Sequence, residues 1–146
     1  MPLTSNLQSF IKNIKGRNKK YNENALNVYK GSAKKMLETL QEDSPVVSGR
    51  YKAGHTLAVH HPSGYVPPKD GDFSSIPEEQ LANADVALTE LRPEKIIKVF
   101  INNNLPYAEK VENGGVNSQP HLVYGKTKTK FSDIIVEESN DKFKGK

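Results

Sequence analysis

A helical repeat that stops at a proline frames what this chain can fold into. From about Asn24 to Glu42 the apolar positions Leu26, Tyr29, Ala33, Met36, Leu37 and Leu40 recur at intervals of three and four, while Lys30, Lys34, Lys35, Glu38 and Glu42 fall mostly on the other side. Pro45 has no N–H to donate and pushes Ser44 out of the helical region, so the helix ends there. The chain turns through Asp43-Ser-Pro-Val-Val-Ser-Gly-Arg50.

A second corner comes later. The apolar, β-branched run Ile96 to Ile101 reads as a strand central in its sheet, and Asn102-Asn-Asn104 reads as a tight polar corner, because asparagine tolerates left-handed geometry. Tyr107-Ala-Glu-Lys-Val-Glu-Asn-Gly-Gly115 leads onward. Gly49 and Gly114 open positive φ to the backbone, so both stretches read as corners that fix how regular elements meet. Arg50 and Glu112 sit one in each corner with opposite charges. A fold that joins the corners could pair them; spacing alone equally allows two unrelated surface charges.

Elsewhere, Leu7, Phe10, Ile11 and Ile14 predict a short amphipathic helix over residues 4–20, capped by Thr4 or Ser5 and fading at Gly16. Residues 1–22 thus form a helical extension. Gly54 to His60 alternates in part, which predicts a strand. His61 to Asp72 holds three prolines and two glycines, so 61–77 is expected to be an exposed loop or arm. Ser75 to Thr89 resumes a helical character, with Pro77 in the first turn and Glu78 and Glu79 at the positive end of the dipole. Arg92 to Lys95 is a turn. Val123, Thr127, Phe131, Ile134, Ile135 and Glu138 mark a final helix, with 140–146 a frayed tail.

A chain of 146 residues is one domain, 1–146, with a single core. Only 35% of residues are hydrophobic and tryptophan is absent, so the core is modest and neighbouring subunits are expected to add stability. The 21 basic and 17 acidic residues leave a formal charge of +4, concentrated at Lys12, Lys15, Arg17, Lys19 and Lys20 and at Lys126, Lys128, Lys130, Lys142, Lys144 and Lys146. Those clusters fit solvated helix faces and a tail; a small basic nucleic-acid-binding protein is the alternative. No aromatic residues interleave them in the manner of a nucleic-acid fold. The chain lacks cysteine, which excludes disulfide and thiolate chemistry and suits a reducing cytosol. Its start, Met1-Pro-Leu-Thr-Ser-Asn6, has no basic then apolar leader, and no long apolar run follows, so neither secretion nor membrane spanning is expected.

Constellations for chemistry are missing. His55, His60, His61 and His121 have no cysteine or H-E-x-x-H helix to complete a ligand set, so no metal is expected. There is no G-x-S-x-G elbow, and Ser48-Gly49 reads as a backbone corner. Glu78-Glu79 and Glu137-Glu138 are adjacent and diverge on a helix. No glycine-rich phosphate loop is present, and Gly114-Gly115 alone does not make one. No cofactor and no enzymatic activity are expected.

The pattern as a whole resembles the tail completion proteins of long-tailed bacteriophages, minor tail or neck proteins related to the lambda minor tail protein Z. The residues that carry the likeness are Ser44-Pro45-Val46 and Ser48-Gly49-Arg50, then Tyr107-Ala108 and Glu112-x-Gly114, followed by Pro120-His121 and a closing helix, over roughly residues 25 to 139. Val47 stands where the family has aspartate, and Tyr51 where it has leucine. The resemblance implies an α+β fold, a small, mostly antiparallel sheet flanked by a long N-terminal helix and a C-terminal helix. It also implies a homo-oligomeric ring, commonly a hexamer, between the connector or head-closure protein and the tail tube or tail terminator. Genomic DNA would at most pass through the channel, and no membrane is involved. The location would be the virion neck, after assembly in the host cytoplasm. The family motif residues Pro45, Gly49, Arg50, Tyr107, Ala108, Glu112 and Gly114 would be structural corners, and the Pro/Gly-rich arm could reach a neighbouring subunit.

Overall fold

The computed structural model describes residues 3–46, 48–94, 98–115 and 119–143, with the side chains of 3–11, 14 and 15 outside the description. The chain order is α1 (Leu3–Asp43), α2 (Arg50–Ala53), β1 (His55–Val59), α3 (Ile76–Leu88), β2 (Val99–Asn103), α4 (Ala108–Asn113) and α5 (Val123–Phe143). It is an α+β fold in which the two strands pair antiparallel and the long first and last helices pack together.

The two helices expected before Pro45 are one. Gly16 does not break α1, because a single glycine costs only about 1 kcal/mol relative to alanine and the flanking lysines and arginine are good helix formers. At the far end Pro45 acts as expected: Ser44 leaves the helix with its Oγ donating to Leu40 O at 2.5 Å.

Two apolar clusters share Ile101. In the first, Ala33 and Leu37 of α1 meet Leu57 and Val59 of β1 and Ala84 and Leu88 of α3. Helix α3 runs back along α1, with Gln41 Nε2 donating to Pro77 O (2.9 Å) and Lys34 paired with Asp85 (2.9 Å). In the second, Leu40, Tyr51, Leu105 and Val123 close the opposite end. Helix α5 is also antiparallel to α1: Lys130 pairs with Asp43, Glu138 lies against Gly31, and Phe143 stacks on Tyr21. That last contact keeps residues 140–143, expected to fray, inside the helix.

Three expectations about the middle of the chain need correction. Among the described residues the second strand is Val99–Asn103, which runs two residues past the expected end at Ile101; Lys95, Ile96 and Ile97, where the expected start falls, lie outside the described residues. It is not central, since the described sheet has two strands, in the register His55↔Asn103, Leu57↔Ile101 and Val59↔Val99. Asn102 and Asn103 belong to the strand instead of a corner, because their side chains are satisfied locally. Asn103 Nδ2 donates to Tyr51 O (2.9 Å) and Asn102 Nδ2 to Ser63 O (3.0 Å).

The 61–77 segment has no helix or strand before Ile76 and is mostly exposed, yet it lies on its own body instead of reaching outward. Pro67 is fully buried and Phe73 is buried, while Asn104 Nδ2 donates to Tyr65 O at 3.1 Å.

Candidate functional site

The two corners converge on a buried imidazole. His55, the first residue of β1, is fully buried between the end of α1, the end of β2 and the start of α5. Its Nε2 lies 2.7 Å from Ser44 Oγ, and its Nδ1 lies 3.1 Å from the Tyr124 hydroxyl and 3.4 Å from Asn103 Nδ2. The proton positions follow from the partners. Ser44 uses its one hydrogen on Leu40 O, so Nε2–H of His55 donates to Ser44 Oγ, and Nδ1 accepts from Tyr124 and from the second Asn103 amide hydrogen. Tyr51 adds an edge-on ring contact at 4.8 Å. A neutral ring satisfies the network, whereas a charged ring would aim a second N–H at the Asn103 donor. Burial accordingly pushes the His55 pKa down to about 4.

This Ser–His contact is not a nucleophile and base. The proton on Nε2 points at the serine, the serine proton is committed to Leu40, and both groups are buried. Burial, reinforced by the Glu112 charge, raises the Tyr51 pKa to about 12. The Tyr124 phenol is raised further, by burial first and then by Tyr51 and Glu112. Neither tyrosine is a base near neutrality.

The motif residues frame this centre. Pro45 ends α1, and Gly49 (φ 89°) precedes α2. Tyr107 and Ala108 begin α4, with Ala108 N–H donating to Leu105 O at 3.0 Å, and Gly114 (φ 80°, ψ 168°) ends it. Arg50 and Glu112 do not pair. The Arg50 guanidinium donates from Nη2 (2.9 Å) and Nε (3.3 Å) to Pro67 O and lies 5.9 Å from the Tyr107 ring centre. Glu112 instead caps α5, its two carboxylate oxygens accepting the N–H groups of Tyr124 (2.9 Å) and Gly125 (3.1 Å), where the helix dipole favours negative charge. The corners therefore meet where Arg50 lies over the Tyr107 ring, and Arg50 also clamps the arm.

Of the other histidines, His60 pairs with Glu90 at 2.8 Å on the surface, and His61 and His121 are exposed. Among the described residues no three His, Cys, Asp or Glu side chains gather for a metal, and no helix is long and apolar enough to cross a membrane.

One further feature is a half-open apolar groove of about 530 Å³ bounded by α1, β2 and α5. Met36, Val99, Ile101, Phe131 and Ile135 line it, together with Ser32 and Thr127. Both hydroxyls are buried without a hydrogen-bond partner. The sequence signal for this site was slight: Thr127 falls in the apolar series Val123, Thr127, Phe131, a polar group on a core stripe. For the centre at His55 the sequence offered no such signal, because the asparagine run read as a polar corner.

The motif residues thus hold the corners of an α+β body around a buried, neutral imidazole. Comparison with protein-family models, with curated proteins and with solved structures finds no match to this chain.

Proposed function

We propose that the chain is a bacteriophage virion structural protein of the head–tail junction, a tail completion or neck protein that joins a ring between connector and tail and works by surface complementarity. The observation that carries this reading is the way its two corner motifs are used. Arg50 lies over the Tyr107 ring, Glu112 caps α5, and Gly49 and Gly114 take positive φ, so these motif residues serve the shape of the body. The buried imidazole is consumed by structure in the same way. The test is light scattering of the purified chain, alone and mixed with heads or tails that lack it. Capture by either particle is the expected result; a chain ignored by both sinks the proposal.

A nucleic-acid reading has one observation in its favour. Lys12, Arg17, Lys19 and Lys20 on α1 and Lys126, Lys128 and Lys130 on α5 are exposed. It predicts DNA binding whose affinity falls linearly on a log–log plot against salt, with a slope counting several phosphates.

A further inference from the structure

The last turn of α4 does more than end a helix. Lys110 O accepts the Gly114 N–H at 2.8 Å, Val111 O accepts the His121 N–H at 2.9 Å and Glu112 O accepts the Leu122 N–H at 3.1 Å, so carbonyls that a helix end leaves open are filled from the chain that follows. The Glu112 carboxylate adds the N–H groups of Tyr124 and Gly125. The start of α5 is therefore held by Val111 and Glu112, and the turn that presents them is closed by the Gly114 N–H.

The residue between is Asn113, exposed at the end of α4 and followed by Gly114 in the single Asn-Gly pair of the sequence. The carboxamide carbon of an asparagine lies within reach of the next backbone nitrogen, through a five-membered ring, and a glycine in that place has no Cβ to obstruct the approach. We propose that Asn113 is a self-modification site gated by the α4 cap: deamidation requires release of the Gly114 N–H from Lys110 O, and its product loosens the hold on α5.

In the step, the Gly114 nitrogen gives its proton to solvent and its electron pair forms a bond to Asn113 Cγ. The Cγ–Nδ2 bond breaks, and Nδ2 leaves as ammonia with a proton taken from solvent. Water then opens the cyclic imide at either carbonyl, giving aspartate or isoaspartate. Water is consumed, ammonia is released, and nothing is oxidised or reduced.

The gate follows from the geometry. The proton that must leave the Gly114 nitrogen is directed at Lys110 O in the folded chain, and the helical backbone of Asn113 is fixed with it. The ring closes only once this turn opens, and such opening is a local event that needs less than global unfolding. Isoaspartate routes the main chain through the former side chain and lengthens it by a carbon, which takes the Gly114 nitrogen off Lys110 O. Either product adds negative charge beside Glu112 at the end of α4, where the dipole is already negative. The turn that carries Val111 and Glu112 then opens more readily, and the start of α5 with it. This site goes beyond the ring reading and stands or falls without the phage assignment.

The experiment incubates the full chain at pH 7.5, folded and in urea, beside folded Glu112→Ala and Asn113→Gln in urea. Peptide mass spectrometry follows amide-to-acid conversion at each asparagine, enzymatic methylation reads isoaspartate, and far-UV circular dichroism confirms which samples are folded. In urea Asn113 should convert ahead of every other asparagine, and Asn113→Gln should leave that peptide unchanged, because glutamine would have to close a larger ring. The folded parent should convert at Asn113 at least about tenfold more slowly than in urea. Glu112→Ala, which frees the turn from α5, should recover part of the unfolded rate. The converted fraction, separated by its added charge, should exchange the Tyr124 and Gly125 amide hydrogens faster than the parent. Equal rates in the folded and unfolded parent, another asparagine converting first in urea, a Glu112→Ala rate no faster than the parent's, or unchanged exchange in the converted chain overturns the proposal.

Discussion

Acidification should weaken this protein measurably through His55. His55 binds its proton in the unfolded chain near the ordinary value of 6.5 but in the folded chain only near 4, because burial opposes the charge. Between those values the unfolded state holds more protons, so stability is full above about pH 6.5 and falls as the pH drops toward 4. Each unit of difference is worth about 1.4 kcal/mol, so the loss reaches about 3 kcal/mol at the acid end and about 2 kcal/mol by pH 5. That is a sizeable part of a typical domain stability of about 5–15 kcal/mol. Urea unfolding at pH 7.5 and pH 5, at fixed protein concentration, measures it. His55→Gln keeps a donor and an acceptor but cannot titrate, and isolates the imidazole from carboxylates such as Asp72, whose pKa is lowered by the Ser74 hydrogen bonds. The parent should lose about 2 kcal/mol more than His55→Gln over this interval, even though the variant starts less stable. Equal losses in the two proteins would refute a neutral, buried His55. So would an NMR titration in which its ring proton shifts near pH 6.5.

Three other outcomes follow from the corners. Gly49→Val and Gly114→Val should each abolish soluble expression, because a β-branched residue at φ 89° or 80° is strained by more than about 1–2 kcal/mol; soluble yield and Tm decide. Glu112→Ala should cost about 1–2 kcal/mol in urea unfolding by uncapping α5, with Glu112→Gln retaining part of it. Arg50→Ala should speed proteolytic nicking between His61 and Asp72 by releasing Pro67 O; because Arg50 and Glu112 share no partner, the double substitution with Glu112→Ala should add within about 0.5 kcal/mol.

Much of the architecture was visible as local pattern. The apolar repeat of α1, its stop at Pro45, the first strand and the helix opening at Pro77 are properties of short stretches, where spacing and a missing N–H decide the outcome. Gly16 misled because a glycine weakens a helix without breaking it. Asn102 and Asn103 misled for a different reason. Their preference for turns reflects competition between side chain and backbone, and that competition ends once Tyr51 O and Ser63 O accept the amide hydrogens. The arm looked free because its prolines and glycines say only that it is irregular. Whether an irregular segment lies on its own body depends on a distant guanidinium.

The sequence by itself determined the apolar repeat of α1 and its stop at Pro45, the first strand, the helix opening at Pro77 and the glycines of the two corners, since helix spacing, proline and positive-φ glycine act over a few neighbours. The tertiary structure alone decided the partners. It separated Arg50 from Glu112, set one against the Pro67 carbonyl and Tyr107 and the other at the start of α5, and closed Ser44, Asn103 and Tyr124 around His55. These pairings join residues far apart in the chain, and their energies come from burial and geometry, which no local pattern encodes.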